Sequence, residues 1–350
     1  MEPYLTEHFG NPSGAHSAAR HAKQAVEEAR DVMAEVLGCR PNEVVFTSGG
    51  TEGDNLAVLG AVNSGTVVCS ALEHDAVLAA ARSVEHRIAG ATRAGLVDLE
   101  SLAGVLDDSV TLVSLMLVNN EVGTIQPLAE AAELVLALAP RAILHTDAVA
   151  AFPWLDVADL ARSASLVSIT AHKFGGPKGV GALVARDVSL IPRQLGGAQE
   201  RGLRSGTLNV AGIVGMAAAA RITADARTAT ARRVGRLRDR LADGLTRSVP
   251  GCSESVDRSS QVPGNCHLRF DGVENEALLF LLDEAGICAS AGSSCASGAL
   301  EPSHVLTAMG LSSEQARSCL RFTLGHTTTE DEVDLALKAV PDAVARLRGS

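Results

Sequence analysis

Short β-prone apolar runs alternate with helix-forming stretches along most of this chain, and that alternation limits its folds more than any other feature. Glu43–Thr47, Thr66–Cys69, Val110–Val118, Ala142–Ala148, Leu166–Thr170 and Val180–Val184 read as strands. A helical pattern at 15–37 precedes the first of them, and patterns at 56–62, 76–85 and 128–138 separate the first four. Strand–helix alternation of this kind predicts an α/β fold, a mainly parallel sheet with helices on both faces. Ligands of such sheets lie beyond the carboxyl ends of the strands.

Polar residues gather at those predicted ends: Thr51, His74, Asn120, Asp147, His172 and Lys173. Each alone is commonly a cap or a satisfied polar residue, but six on one edge predict a binding site. The stretch Leu166–Gly179 is the sharpest case, an apolar strand that ends in Thr-Ala-His-Lys and breaks into a Gly/Pro loop. A lysine where a buried strand gives out can be partly desolvated, which favours the neutral amine that condenses with aldehydes. Phe46-Thr47-Ser48-Gly49-Gly50-Thr51 is a strand, glycine turn and helix start, a layout that points backbone N–H groups at an anion. Schiff-base lysine, strand-end carboxylate and anion cradle together suit pyridoxal phosphate. His74 suits a proton carrier against the ring face, or a helix-start residue in a polar pocket.

Beyond the sheet, the basic turn Arg201–Thr207 reads as mobile, and helices are expected at 210–224 and 226–247 with a boundary near 225. The domain expectation is 1–225 for a large cofactor-binding domain and 226–350 for a small C-terminal one. The small domain should hold strands at 265–270, 287–289 and 319–324 and helices at 274–284 and 330–348. Cys295 stands in a run of small residues, Ser290–Gly298, with no bulky apolar neighbour, which suits either a travelling nucleophile or an inert loop thiol. Arg321 on the last strand could fork onto a carboxylate or sit in a surface salt bridge.

The totals exclude several classes. With 30 Lys and Arg against 41 Asp and Glu, a net charge of −11 and 3% aromatics, the 350-residue chain has no basic, stacking surface for nucleic acid. The Met1–His8 start resembles no signal peptide, and apolar runs such as Leu134–Ala139 are too short to span a bilayer, so a cytoplasmic protein is expected. Seven cysteines without a Cys-x-x-Cys pair argue against a zinc knuckle or disulfide framework, and most should be small buried hydrophobes.

From about Phe9 to Arg348 the chain resembles the cysteine desulfurases of the class V aminotransferase group. The matching stretches are Phe9–Ser13, Val45–Glu52, Val118–Gly123, His172-Lys173 with its Gly-Pro-Lys-Gly tail, Arg204–Thr207, Leu300–Ser303 and Arg321–Gly325. Ala291–Ser297 is similar to the long loop of the subgroup that serves iron–sulfur assembly and tRNA thiolation. The resemblance implies fold type I of the pyridoxal-phosphate enzymes, a seven-stranded sheet with a smaller α+β C-terminal domain, and a homodimer. It implies that Lys173 forms the Schiff base, Asp147 partners the pyridinium, and His74 stacks as the acid–base group. Gly50, Thr51, Thr170, Ala171 and His172 would surround the cofactor, with Thr207 reaching in from the second subunit. Asn120 would touch cofactor and substrate, and Arg321 would hold the carboxylate of L-cysteine. Cys295 would attack the substrate sulfur, leaving alanine and a persulfide for an acceptor protein; a transient iron–sulfur ligand is the only metal role implied for it. A cysteine or selenocysteine lyase, which needs no Cys295, and a non-catalytic partner subunit are the alternatives.

Two departures from the family stand out. The usual Tyr-Leu-Asp-x-Ala-Ala-Thr-Thr-Pro segment is absent before Gly10, so the rim of the substrate site should differ. Ala150 replaces a glutamine that hydrogen-bonds the cofactor's phenolic oxygen, so the Schiff-base pKa should shift. Losing one such bond costs on the order of 1–3 kcal/mol.

Overall fold

A computed structural model describes residues 1–61, 64–292 and 302–349. They form two compact units, the first made of Met1–Ala89, Leu99–Leu117 and Pro127–Arg227, the second of Gly90–Asp98, Val118–Gln126 and the chain from Thr228 on.

The first unit is built on a seven-stranded sheet. Its strands are β1 (Val44–Thr47), β2 (Thr66–Ser70), β3 (His86–Ala89), β4 (Val110–Ser114), β5 (Ile143–Asp147), β6 (Leu166–Thr170) and β7 (Gly181–Ala185). Their order is β1-β7-β6-β5-β4-β2-β3, with β7 antiparallel to both neighbours and every other pair parallel. β1, β2 and β6 are buried along their whole length, which is why they read as unbroken apolar runs rather than alternating ones.

Six helices accompany the sheet: α1 (Ser17–Leu37), α2 (Gly50–Ala61), α3 (Asp75–Arg82), α4 (Leu99–Val105), α5 (Leu128–Leu138) and α6 (Val157–Leu160). α1 buries Ala19, Ala22, Val26, Ala29, Met33 and Leu37 at three- and four-residue spacing, and it stops at Gly38 in the left-handed region, φ 61°. α2 lies over β5, β6 and β7. Its Leu56, Ala57 and Val58 share a core with Val45, Val67, Leu112, Leu166 and Leu183 of the sheet and Val77 and Leu78 of α3. Fully burying one such side chain is worth roughly 1.5–3 kcal/mol.

Where two separate helices were expected, one 39-residue helix, α7 (Val210–Ser248), runs through. Thr223 and Asp225 are of types that cap a helix start, but no Gly or Pro near Ala224–Ala226 breaks the backbone, so the ladder continues. β4 ends at Ser114, four residues before the expected Val118. The second unit holds a three-stranded antiparallel sheet of β8 (Cys252–Glu254), β9 (Asn265–Phe270) and β10 (Cys319–Thr323) in the order β10-β9-β8. With it come α8 (Asn275–Glu284), α9 (His304–Ala308), α10 (Ser313–Ala316) and α11 (Glu330–Arg348). Residues 287–289 form no strand; only Ser290 pairs, across an isolated bridge to Arg321. No helix among the described residues is long and apolar enough to cross a membrane.

Candidate active site

The register of β7 decides which residues meet. Gly181 pairs with Thr47 at the end of β1 on one side and with Thr170 at the end of β6 on the other. A Cβ at Gly181 would lie 2.7 Å from the Ile169 carbonyl oxygen and 2.8 Å from the Gly49 backbone, so only glycine lets the two ends come this close. The Ser48–Thr51 turn and the Ala171–Phe174 helical turn therefore share one edge of the sheet.

On that edge α2 opens at Gly50, with Thr51 in its first turn. Thr170 Oγ1 lies 3.1 Å from Nδ1 of His172. Ala171 is buried and donates its N–H to the Val180 carbonyl at 3.1 Å. A side chain at Gly50 would meet Val149 Cγ2 at 2.9 Å, so the bare backbone is required there too. Glu52 braces the turn: it accepts the Ser48 N–H at 2.9 Å and the Arg204 Nε at 2.8 Å. Burial works against its charge, yet the bonds from Arg204 and Ser48 hold its carboxyl below the ordinary value.

Arg204 belongs to the basic turn that reads as mobile from sequence, and the structure corrects that reading. Arg201 donates to the Val44 carbonyl at 2.7 Å, and Gly206 N–H donates to Gln199 at 2.8 Å. Glu200 and Arg201 adopt left-handed backbone, φ 47° and 58°. They are held there by a buried pair, Arg30 to Glu200 at 2.7 Å and 2.9 Å, with Phe46 N–H donating to the same carboxylate at 2.7 Å. Thr207, at the end of the turn, is exposed.

Asp147 closes β5 and is 5% exposed, its Oδ1 accepting the Val149 N–H at 2.8 Å. Burial raises its pKa, while the bond from Val149 and the charges of His74 and Lys173 pull it down. His74 caps α3, with Nδ1 accepting the Ala76 N–H at 3.1 Å, which leaves Nε2 as the nitrogen able to carry the proton. Lys173 and His172 are exposed. Burial by the strand, the expected reason for Lys173 to differ from other lysines, is not what this chain supplies.

Behind Asp147 lies a polar network that sequence reading missed. His145, two residues back and so on the same face of β5, touches Ser114 Oγ at 2.8 Å through Nδ1 and Ser168 Oγ at 3.0 Å through Nε2. Asp54 of α2 stands 3.7 Å from the same ring. Burial drives His145 down to about 3 and Asp54 well upward, the latter helped by Asp147. Glu73, beside His74, accepts from Ser70 and Met116 N–H, each at 2.9 Å, and burial lifts it to about 8. The strand period alone would have placed His145 on the Asp147 face; for Asp54 and Glu73 no signal beyond proximity to Gly50 and His74 existed.

In the second unit Arg321 and Asn120 come together, Arg321 Nη1 donating to the Asn120 carbonyl at 2.7 Å. Cys295 lies outside the described residues, as do Leu300 and Glu301 of the matched motif. Of the other cysteines, Cys69, Cys266 and Cys319 are buried as expected, whereas Cys39 and Cys252 are half-buried and Cys288 is exposed. Burial pushes Cys266 and Cys319 up to about 12, which makes them poor nucleophiles.

A lysine one turn beyond β6, a buried carboxylate at the end of β5 and a bare-backbone helix start on the same edge define a Schiff-base enzyme on an α/β sheet. The profile described as Aminotransferase class-V matches residues 1–336. The chain is 44% identical to the IscS-like cysteine desulfurase of Mycobacterium tuberculosis, covering 97% of this chain and 91% of that protein. Against cysteine desulfurase IscS 1 of Archaeoglobus fulgidus the identity is 40%, over 99% and 93%. Among solved structures, a NifS-like protein superposes with a TM-score of 0.92 at 33% identity, over 99% and 94%. The chain belongs to the class V aminotransferase family, in its cysteine desulfurase branch. That family depends on pyridoxal phosphate.

The residues present fit this cofactor. The α2 start with Thr51, Thr170 and His172 offers donors to a phosphate where added side chains would clash. A protonated ring nitrogen beside Asp147 would supply the counter-charge that its burial calls for.

Proposed function

We propose that this chain is an L-cysteine desulfurase that works as a homodimer and hands its sulfur to an acceptor protein. The observation that carries the reading is the arrangement of Asp147, His74 and Lys173 beside the Gly50–Thr51 helix start, since it offers each part of pyridoxal phosphate a partner. Bound there, the cofactor supplies an aldehyde for the substrate amine and a sink for electrons.

The protein's own residues do the rest. The Lys173 amine would hold the cofactor at its aldehyde. Asp147 keeps the ring nitrogen protonated, and Nε2 of His74 holds a proton at the ring face. Gly50, Thr51, Thr170, Ala171 and His172 seat the phosphate end, joined by Thr207 of the second subunit. Arg321 binds the substrate carboxylate as a charge-assisted fork, with Asn120 beside it. The Cys295 thiolate attacks the substrate sulfur: the S–S bond forms as the Cβ–S bond breaks, the electron pair stays with carbon, and carbon takes up protons and leaves as alanine.

The test is one preparation with L-cysteine. The enzyme should be yellow and produce alanine and, with a thiol reductant, sulfide in equal amounts. Cys295→Ala should keep the colour and lose the persulfide. Unchanged turnover in that variant would indicate a lyase instead, and protein that pyridoxal phosphate cannot colour would indicate a non-catalytic subunit. The homodimer has its own check by subunit mixing. Lys173→Ala and Thr207→Val chains, each impaired alone, should regain activity together, because one shared site then has both an intact lysine and an intact threonine.

A further inference from the structure

Glu121 has no part in the chemistry above, yet it is buried in the second unit, 1% exposed. Its Oε2 accepts the Ser303 hydroxyl at 2.8 Å, and its Oε1 lies 4.0 Å from Nε2 of His267. The backbone is fixed as firmly. The Glu121 N–H donates to Asn119 Oδ1 at 2.9 Å, and its carbonyl accepts Asn265 Nδ2 at 2.9 Å.

Two segments converge on this carboxylate. Ser303 caps α9, its hydroxyl accepting the Leu306 N–H at 3.2 Å while donating to Glu121. From the other side, Ser290 exchanges both backbone hydrogen bonds with Arg321, at 2.8 Å and 3.1 Å. Two residues further on, Gly292 turns with φ 61°, and a Cβ there would lie 3.6 Å from Ser303 Cβ and 3.9 Å from both Glu121 oxygens. The residues on either side of the Cys295 stretch are thus drawn together at one buried acid. The same acid adjoins Asn120, whose carbonyl takes the Arg321 guanidinium.

We propose that Glu121 is a positioning residue for sulfur transfer: acting through Ser303, and packed against Gly292, it closes the base from which the Cys295 thiol is delivered, beside Asn120 and Arg321. The proposal rests on the desulfurase reading for the step it serves. Its physical content is effective concentration, because a nucleophile on a stretch with joined ends searches less space than one with splayed ends.

Glu121→Ala, Ser303→Ala and the double variant test it. Each single change should slow single-turnover persulfide formation on Cys295 by about tenfold, and the double variant should be no slower than either. Ser303→Ala should bind L-cysteine within about twofold of the parent, and Ser303→Thr, which keeps the hydroxyl, should restore the rate. Amide exchange at 287–292 and 303–309 should speed up in both single variants and stay unchanged across the seven-stranded sheet. Parent-like persulfide rates, losses that multiply in the double variant, or unchanged exchange at both flanks would overturn the assignment. A parent that makes no persulfide would refute the desulfurase reading instead, and the exchange comparison would still decide the role of Glu121.

Discussion

Ala150 stands where the resemblance to cysteine desulfurases implies a glutamine facing the cofactor. It follows Val149, whose N–H bonds to Asp147 and whose side chain faces Gly50. Ala150→Gln should restore a donor to the cofactor and tighten its binding by about fivefold, worth about 1 kcal/mol. Equilibrium titration of the apoenzyme, followed by Schiff-base absorbance, checks this. Glu73 sets a second residue-level expectation. Its folded pKa, about 8, lies above the ordinary carboxylate value, so the folded state holds a proton that the unfolded chain releases. That stability is complete below the unfolded pKa and is lost as pH rises through the folded one. Melting temperature should therefore fall between pH 6.5 and 8.5, and Glu73→Gln, which still accepts from Ser70 or Met116, should flatten the fall. An unchanged slope in that variant would sink the account. At this scale the sequence was most readable for position, as with Asp147 at the end of β5 and Lys173 in the turn after β6. It was least readable for Arg30 and Glu200, whose pairing joins positions 170 apart and leaves no local trace.

Elements were legible where burial is uniform. β1, β2 and β6 announce themselves as apolar runs, but β3 is a four-residue strand with two basic members and no buried stripe, and it passed unnoticed. β8, three residues and half-buried, escaped for the same reason. The single helix α7 was read as two because its composition changes from Ala-rich to Arg-rich near 225 while its backbone does not break. Two substitutions probe how elements are joined. Gly181→Ala should cost about 1–3 kcal/mol, because its Cβ meets backbone on both β6 and the Ser48–Thr51 turn, and cofactor affinity should drop with it. Thermal melts and cofactor titration on the same sample would show whether the two losses go together. Arg30→Met strands the Glu200 carboxylate without its partner, and about 3–5 kcal/mol of stability should go. A denaturant midpoint matching the parent's would refute that.

For the whole molecule, buried ionisable groups set opposing limits on the pH range. His145 and His267 are both held neutral by burial, with pKa values near 3, so the unfolded chain binds protons there that the folded chain refuses. Stability from these two is present above the unfolded histidine pKa and is lost as pH falls below it. Glu73 and Asp54 act in the other direction at higher pH. A stability maximum near pH 6 should result, and denaturant unfolding at pH 4, 6 and 8.5 would show the dome or its absence.

The approach of Gly292 to Ser303 has a use beyond catalysis. Those two residues stand side by side, so the platform offers two adjacent points at which a segment can be joined. Doubling the number of residues it contains should cost only about 0.6 kcal/mol. Segments of different length and sequence could therefore be grafted between these two points on one scaffold.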